Sequence, residues 1–285
     1  MLRIAVPNKG TLSQPASQML RDAGYRQRTD PKDLLCADES NGVQFFYLRP
    51  RDIATYVASG DLDLGITGRD LLVDSSVPAQ ELLDLNFAGA TFRWAAPAGK
   101  LASVEEIGGR RIATAYPGVV RRYLDQHDLK ADVVRLDGAV ENAVRLGVAD
   151  LIADVVETGA TLRQAGLVTL GEPILVSSAI LIGPELTGRE AGGATSVAQL
   201  IRRLQGVLVA RGYVMLAYDV RADLLDNATA LTPGIESPTV SPLHERGWSA
   251  VRVMVPRKNT NPLMDELWEL GARGIIVTGI HACRL

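Results

Sequence analysis

Short apolar runs alternate with segments of helical spacing along most of this chain, and this alternation limits the folds available to it. Runs typical of buried strands begin at Leu2 (LRIAVP), Val43 (VQFFYLRP) and Leu62 (LDLGITG). Segments 12–23 and 51–59 carry apolar residues at helical spacing and are each followed by a glycine. The order predicts an α/β fold with mainly parallel strands.

A weak internal repeat indicates two similar lobes. RIAVPNKG from Arg3 is similar to RIATAYPG from Arg111, and GDLDLGITGRDLL from Gly60 is similar to GVADLIADVVETGATL from Gly147. Each copy reads as a strand, a glycine-containing turn and a helix. Ligands of such sheets bind where strands end and helices begin, so two facing lobes predict a cleft. A chance likeness between βα units is the alternative.

The last part of the chain has a different pattern. Strand-like runs begin at Gly212 (GYVMLAYDV), Trp248 (WSAVRVMVPR) and Arg273 (RGIIVTGIHAC), with a further short strand expected near Thr239. Helical segments follow the first and the Trp248 runs. The resulting order, βαββαβ, predicts a self-contained third domain of the ferredoxin-like type.

Size and composition exclude several classes of protein. A chain of 285 residues predicts two or three domains, and a net charge of −3 argues against a nucleic-acid binder. Two separated cysteines form neither a disulfide framework nor a zinc pattern. The apolar run from Pro173 is too short to cross a membrane, which takes about 20 residues, and the first residues do not resemble a signal peptide. We therefore expect a soluble, cytoplasmic protein without membrane partners.

The turn at residues 158–161, Thr-Gly-Ala-Thr, joins a predicted buried strand to a predicted helix. The first amides of a helix lack intrahelical partners and lie at the positive end of its dipole. With Gly159 permitting close approach and hydroxyls at Thr158 and Thr161, the turn predicts a cradle for a phosphate monoester. It lacks the spacing and lysine of a nucleotide P-loop. An ordinary threonine N-cap is the alternative.

Asp154 makes the functional interpretation of this turn stronger. A carboxylate inside an apolar strand is unfavourable unless it is paired, hydrogen-bonded or exposed at a strand end. Beside a phosphate cradle it suits ribose hydroxyls or a magnesium ion, and phosphate with a diol indicates a 5-phosphoribosyl group. Glu157 would repel a bound phosphate, so we expect it to point away or towards a metal.

The longer stretch ENAVRLGVADLIADVVETGATL, from Glu141 to Leu162, resembles the signature of the ATP phosphoribosyltransferase family. RIAVPNKGTL and FFYLRPRDIATYVASGDLDLGITGRDLL are similar to other parts of that family, and the C-terminal βαββαβ unit matches its long form. The resemblance implies two lobes like type II periplasmic binding proteins and a regulatory domain. The implied limits are 1–90 with 184–211 for lobe I, 91–183 for lobe II, and 212–285 for the histidine-binding domain.

The resemblance also implies a reaction. The 5-phosphoribosyl group of phosphoribosyl pyrophosphate passes to N1 of the adenine of ATP, with release of pyrophosphate and with Mg²⁺ as cofactor, as the first step of histidine biosynthesis. Histidine is the expected feedback inhibitor, AMP a possible further ligand, and a dimer or hexamer the expected assembly. A phosphoribosyltransferase for another base, or a non-catalytic two-lobed solute sensor, is the alternative.

The chemistry indicates which residues to examine. The ring nitrogen already carries a lone pair, so catalysis needs positioning and charge stabilisation rather than a general base. Lys9, in the turn after the first strand, is expected to meet pyrophosphate, Arg49, at a strand end, suits polyphosphate oxygens, and Asp154 completes the predicted catalytic set. A surface lysine beside a turn and a surface ion pair are the alternatives. The expected substrate-binding residues are Gly10, Asp70, Tyr116, Glu141, Val155, Val156, Glu157, Thr158, Gly159, Ala160, Thr161 and Leu162.

Two smaller groups complete the expectations. Asp30 and Asp33 are candidate metal ligands because they add negative charge to one short segment. Asp219, at a strand end, suits the amine of a bound amino acid, and main-chain groups around Ile235, Ser237 and Thr239 suit its carboxylate. A plain loop over a small sheet is the alternative for this last group.

Overall fold

Strands and helices alternate as the apolar pattern predicts. The computed structural model describes residues 1–156, 159–185 and 194–284. The strands are β1 (Leu2–Pro7), β2 (Leu35–Asp38), β3 (Val43–Leu48), β4 (Leu64–Gly68), β5 (Ala79–Asp84), β6 (Ala90–Pro97), β7 (Arg111–Thr114), β8 (Asp132–Arg135), β9 (Leu151–Val156), β10 (Leu167–Ser177), β11 (Ala179–Pro184), β12 (Tyr213–Arg221), β13 (Thr239–Pro242), β14 (Trp248–Pro256) and β15 (Arg273–Gly279). The helices are α1 (Ser13–Asp22), α2 (Pro50–Ala58), α3 (Arg69–Ser75), α4 (Pro117–Gln126), α5 (Asn142–Arg145), α6 (Ala160–Gln164), α7 (Ala194–Gly212), α8 (Leu225–Leu231) and α9 (Thr260–Leu270).

Two sheets built to one plan form the first part of the molecule. Their strand orders are β2-β3-β1-β4-β11-β5 and β10-β6-β9-β7-β8. In each, a central strand (β1 or β7) pairs in parallel with two neighbours, and the next strand (β11 or β6) runs antiparallel. We call the first sheet with α1–α3 the first lobe and the second sheet with α4–α6 the second lobe. The predicted two-lobed α/β fold is confirmed, but the expectation of mainly parallel strands is wrong: four of the nine strand pairings in these two sheets are parallel and five are antiparallel, because the chain returns through β6 and β11 in the opposite direction.

The internal repeat extends to hydrogen bonds. In the first lobe the main-chain N of Arg3 donates to Oδ2 of Asp63 (2.7 Å), and the N of Asp63 donates to the carbonyl of Arg3 (2.9 Å). In the second lobe the N of Arg111 donates to Oδ2 of Asp150 (2.9 Å), and the N of Asp150 donates to the carbonyl of Arg111 (2.8 Å). Each arginine also pairs with the same carboxylate. The likeness therefore reflects a shared architecture and not a chance match of βα units.

Helices cover both faces of the second sheet, which explains its nearly continuous apolar strands. One face packs Trp94 and Ile112 against residues of α4 such as Val120. The other packs Ile152 against Leu162 of α6. Burial on both faces places the strand ends, rather than the sheet faces, where a ligand can reach them.

The chain crosses between the lobes twice, and the two crossovers are joined to each other. The first comprises residues 85–89 and the second is Ser178 alone. Leu85 N donates to the carbonyl of Ala179 (2.9 Å), and Ala179 N donates to the carbonyl of Phe87 (2.9 Å). The crossovers thus form one short hinge.

Arg69, the first residue of α3, anchors this hinge. Its guanidinium donates to Glu81 (2.7 and 2.8 Å), to Asp84 (2.8 Å) and to the carbonyl of Val176 (3.2 Å). Its main-chain N donates to the carbonyl of Ser178 (3.0 Å). One side chain therefore ties together β5 and β10, the strands that lead into the two crossovers.

The C-terminal sheet has the order β13-β14-β12-β15, and its chain order with α8 and α9 is the predicted βαββαβ. One face is the core, where Leu216, Tyr218 and Val253 pack against Leu267 of α9. The short strand expected near Thr239 is β13.

The lobe limits differ from the expected ones in two places. β11 pairs with β4 and β5, so residues 179–183 belong to the first sheet although the expected return began at 184. The reason is that β4 and β5 do not pair with each other, and β11 lies between them and pairs antiparallel with both. Residues 1–21 and 25–194 form one unit, and residues 22–24 with those from 195 onward form another, which contains nearly all of α7. The functional roles assigned to the three domains stay predictions.

Within the described ranges, no helix combines the length and apolar character needed to cross a bilayer.

The repeated Arg–Asp pairs make a testable matched set. We expect Asp63→Ala and Asp150→Ala each to lower the free energy of unfolding by about 1 kcal/mol, because each leaves a main-chain amide without its acceptor. Urea denaturation measures both. Asp137→Ala serves as control, because Asp137 pairs with the side chain of Arg135 and is 83% exposed. A loss in only one lobe would contradict the equivalence of the two pairs.

Candidate active site

A cavity of about 290 Å³ lies between the two lobes, at the carboxyl ends of their strands. The turns after β1 and β4 line it from the first lobe, and the turn after β7 and the end of β9 line it from the second. The crossovers close its back. Residues that line it include Lys9, Gly10, Asp70, Tyr116, Val155 and Ser177. The predicted cleft is therefore present, and five of the predicted substrate-contacting residues share it.

Asp70 lines this cavity, is only 8% exposed and is held by hydrogen bonds. The hydroxyl of Ser177 donates to Oδ1 of Asp70 (2.7 Å) and accepts from its main-chain N (3.1 Å). A Cβ on Gly68 would lie 2.3 Å from Oδ1, so glycine is needed there for the carboxylate to keep this position. The arrangement gives one fixed carboxylate at the hinge side of the cavity.

Tyr116 faces Asp70 from the other lobe. Its ring contacts the edge of Phe92 (5.4 Å between centroids) and lies 4.8 Å from the guanidinium carbon of Arg51. Burial raises the pKa of Tyr116, and the negative charges of Asp70 and Asp154 raise it further, against a smaller lowering by Arg51. The phenol therefore stays protonated at neutral pH, as a donor among carboxylates.

Asp154 lies on β9, opposite Arg93 of β6, and is the carboxylate that the sequence marks as out of place in an apolar strand. Its Oδ1 accepts a hydrogen bond from the main-chain N of Val155 (2.8 Å). Burial raises its pKa, this hydrogen bond lowers it, and the charges of Glu141 and Asp70 raise it. An ionised Asp154 would gain from a cation or a set of hydroxyl donors brought by a ligand.

The two predicted pyrophosphate cations lie at strand ends. Lys9 follows β1 in a turn where Gly10 has φ of 76°. Arg49 follows β3 in extended conformation, and Pro50 begins α2 directly after it. Both side chains are exposed, and Lys9 lines the cavity. Their contact with pyrophosphate stays a prediction.

The predicted phosphate turn borders a second cavity, of about 420 Å³, lined by Glu141, Thr161 and Arg145 among others. Gly159, the residue before the short helix α6, has φ of 68°, a left-handed conformation that favours glycine. Glu157 and Thr158 lie outside the described residues.

The other members of the predicted turn differ in exposure. Ala160 and Thr161 are exposed at the start of α6, where the first helical amides lack intrahelical acceptors. Val156 is half-buried, and Leu162 is 6% exposed within the core of the second lobe. Only the main chain of Leu162 is therefore suited to meet a ligand.

Asp30 and Asp33 lie in an exposed turn, where Oδ1 of Asp30 accepts from the main-chain N of Lys32 (2.8 Å). Across residues 1–156, 159–185 and 194–284, no three His, Cys, Asp or Glu residues are grouped closely enough to hold a metal. A metal role for this pair stays a prediction without further support.

Sequence reasoning missed Ser177, Arg51 and Asp74. Ser177 orients Asp70, while Arg51 and Asp74 join the lobes beside Tyr116. Ser177 lies inside the apolar run that begins at Pro173, and a serine in such a run was the available signal. No comparable signal marked Arg51 or Asp74, which are ordinary charged residues of amphipathic helices.

The fold and the cavity define an α/β protein whose ligand site lies between two lobes, with a further C-terminal domain. Comparison with known proteins gives the family. Residues 49–206 match the family model HisG, described as ATP phosphoribosyltransferase, and residues 210–282 match the model of the HisG C-terminal domain. The second match begins near the expected start of the third domain at residue 212.

Curated relatives and a solved structure agree with these matches. ATP phosphoribosyltransferases from Salinispora tropica and Streptomyces avermitilis are 64% and 57% identical, each over 285 residues and the full length of both chains. A chain of the HisG:HisZ ATP phosphoribosyl transferase complex from Thermotoga maritima is 28% identical with a TM-score of 0.61. That match covers 72% of this chain and 97% of the other.

The chain therefore belongs to the ATP phosphoribosyltransferase family, pentosyltransferases that catalyse the first step of histidine biosynthesis. Its C-terminal domain makes it a long-form member. The resemblance seen in the sequence is confirmed. The two alternatives, a transferase for another base and a non-catalytic sensor, are not supported.

The raised pKa of Asp154 predicts a conflict between stability and function. A carboxyl whose pKa is raised on folding contributes stability below its unfolded pKa, near 4, and loses it as pH rises through the folded value. We expect Asp154→Asn to raise the free energy of unfolding at pH 7 by about 1 kcal/mol while abolishing turnover. Urea denaturation between pH 4 and 8 measures the first effect.

Asp150→Asn is the matched control on the same strand region. Hydrogen bonds from Arg111 lower the pKa of Asp150, so its contribution is present above its unfolded pKa and lost as pH falls. This variant should lose stability at pH 7. Loss of stability in both variants would contradict the desolvation argument for Asp154.

Proposed function

We propose that the cavity between the lobes joins N1 of the adenine of ATP to C1 of phosphoribosyl pyrophosphate. Family membership supports the reaction, and the observation that carries its location is the interlobe cavity lined by Asp70, Tyr116 and Val155, with Asp154 next to Val155 and close enough to Tyr116 to act on its charge. A carboxylate from each lobe faces the same phenol there, so closure of the lobes brings opposite walls of the site together.

The reaction requires stabilisation of the charges that develop as one bond forms and another breaks. The N1 lone pair forms the new bond to C1, and the C1–oxygen bond breaks with its electron pair leaving on pyrophosphate. Positive charge then develops at the ribose and negative charge on the leaving group. The carboxylate of Asp154 suits the ribose, because it can accept hydrogen bonds from the ribose hydroxyls and can stabilise the positive charge that develops there. Lys9 and Arg49 suit the pyrophosphate oxygens. The nucleophile needs no general base, because N1 carries no proton.

The terminal phosphate of the ribose is assigned to the turn at 158–161. The exposed start of α6, the left-handed Gly159 and the adjoining cavity with Glu141 support this assignment. Main-chain donors at a helix N-terminus favour a dianion. Tyr116 and Asp70 are then left for the nucleotide, with the phenol ring as a stacking surface.

The described residues fit a magnesium ion that the substrate helps to hold. No protein-only metal cluster is found among them, whereas magnesium is commonly bound by one or two carboxylates together with substrate phosphates. Asp154 is a half-buried carboxylate whose pKa is raised, and a nearby cation would favour its ionised form. Bound magnesium would neutralise the charge of the departing pyrophosphate.

Histidine is assigned to the C-terminal domain as a feedback inhibitor. Asp219 lies opposite Ala250 on β14, and Ser241 of β13 lies opposite Ala250 on its other side. Alternate residues of a strand share a face, so Asp219 and Thr239 both lie on the face away from the helix-packed core. Asp219 and Ser241 are about 10 Å apart across one strand, and Thr239 lies two residues, about 7 Å, further along β13.

Three further expectations remain part of this proposal. AMP is a possible ligand of the nucleotide site, because it shares the adenosine of ATP. A dimer or hexamer is the expected assembly. A cytoplasmic location fits a biosynthetic reaction that consumes ATP.

Thr161 offers a direct test of the phosphate site. Incubation with ATP, phosphoribosyl pyrophosphate and magnesium should give the ultraviolet change of an N1-substituted adenine. Thr161→Val should raise KM for phosphoribosyl pyrophosphate about tenfold, because a hydrogen bond to a charged group is lost, with KM for ATP nearly unchanged. Thr169→Val, an exposed threonine of β10, is the control. An unchanged KM for both substrates would remove Thr161 from the site.

Asp219 tests the histidine site. Calorimetry should detect histidine binding to the unmodified protein and at least about tenfold weaker binding to Asp219→Ala, because the ligand amine loses its charged partner. Asp223→Ala is the control, since Asp223 is exposed and pairs with Arg221 in the same domain. Equal affinity in all three proteins would place histidine elsewhere.

A further inference from the structure

An ion pair beside the cavity joins helices of the first lobe to the second lobe. Arg51 of α2 pairs through Nη1 with Oδ2 of Asp74, on α3. Its Nη2 donates to the carbonyl of Ala115, in the turn after β7 (3.0 Å). One guanidinium therefore bonds to both lobes.

Asp74 makes a second bond across the same boundary. Its Oδ1 accepts from the main-chain N of Gly118, in the first turn of α4 (2.8 Å), and its side chain is only 7% exposed. A Cβ on Gly118 would lie 2.1 Å from the carbonyl oxygen of Asp74, so the backbones approach as closely as only glycine permits. Each oxygen of the carboxylate thus has a partner, Oδ2 the guanidinium of Arg51 and Oδ1 the first turn of α4.

Tyr116 lies between these two attachment points. Ala115 and Gly118, on either side of it, are the residues bonded to Arg51 and Asp74. Its ring is also placed between Phe92 of its own lobe (5.4 Å) and the guanidinium of Arg51 (4.8 Å). The turn and the ring are consequently held by the opposite lobe.

We propose that Arg51 and Asp74 form an interlobe clamp that positions Tyr116 for the adenine nucleotide. Neither residue is among the described residues that line the cavity, so both act through Tyr116 and are positioning residues. The clamp stabilises the lobe closure in which Tyr116 faces Asp70. The inference rests on the proposed function for the nucleotide role of Tyr116, while the clamp itself rests on the contacts above.

The test uses Arg51→Gln, Asp74→Ala and the double variant of the full chain. Hydrogen exchange, followed by mass spectrometry on peptides containing residues 115–120, should become faster in all three variants. In Asp74→Ala the Gly118 amide loses its acceptor, and in Arg51→Gln the carboxylate of Asp74 loses the guanidinium that holds it. Calorimetry should show ATP binding about tenfold weaker in each single variant and little weaker again in the double variant, because the two residues act as a unit.

Kinetics separate positioning from a merely structural role. Loss of a contact that is equal in ground and transition states raises KM and leaves kcat unchanged, so KM for ATP should rise about tenfold with kcat within about twofold. Arg51→Lys keeps the charge opposite Asp74 and should recover most of the affinity for ATP.

Arg111→Gln is the matched control. Arg111, like Arg51, bonds to a carboxylate and a main-chain carbonyl, and its side chain is 45% exposed against 41% for Arg51. Its partners, however, belong to its own lobe. Arg111→Gln should therefore leave the affinity for ATP and the exchange of residues 115–120 unchanged.

Distinct results would overturn the inference. Unchanged exchange in Arg51→Gln and Asp74→Ala would show that no clamp holds the turn. Faster exchange with unaltered ATP affinity would show a clamp that does not position Tyr116. Equal weakening by Arg111→Gln would show a general loss of stability. If the unmodified protein did not bind ATP, the proposed nucleotide site would fail and this inference with it; failure of the variants alone would overturn only the clamp.

Discussion

The site depends on a carboxylate, Asp70, that is buried where the two lobes meet. Burying such a group is unfavourable unless donors surround it. The hydroxyl of Ser177 donates to it from the hinge, and the phenol of Tyr116 lies near it from the turn after β7. Gly68 leaves the space that the carboxylate occupies. Asp70 therefore links the hinge, the cavity and the facing aromatic ring, so a change in the position of one alters the position of the others.

Asp154 shows how a functional site opposes the stability of its own fold. Its neighbours Glu141 and Asp70 are also acidic, and together with burial they raise its pKa. A chain selected for stability alone would place an apolar residue at this strand position. The carboxylate makes physical sense when a ligand brings positive charge or hydroxyl donors to it. This is the pattern expected of residues that bind or catalyse.

Much of this organisation was predictable from the sequence, because it follows from local patterns. Strand and helix periods predicted the α/β lobes, and the likeness between the segments at Arg3 and Arg111 predicted their equivalence. Asp154 stood out because its polarity conflicts with its strand. In each case the signal lies within a short stretch, where burial and backbone geometry determine which residues are compatible.

Contacts between distant segments were not predictable in this way. Arg51 meets Ala115, and Asp74 meets Gly118, only because the two lobes lie against each other, and none of these residues breaks a local pattern. The early return of the chain at Ala179 has the same origin, since the gap between β4 and β5 is created by tertiary pairing. Such features follow from three-dimensional closure rather than from periodicity.

The paired crossovers restrict how the lobes can move. Two covalent connections, bonded to each other between residues 85–87 and Ala179, define a single line about which one lobe can rotate. Twisting about any other direction would break these bonds. Asn86 and Ala88 of the first crossover adopt φ of 54° and 51°, in the left-handed region, which asparagine tolerates and alanine disfavours. Opening therefore rotates one lobe away from the other about the crossovers. Substrates enter and products leave on the side of the cavity opposite the crossovers.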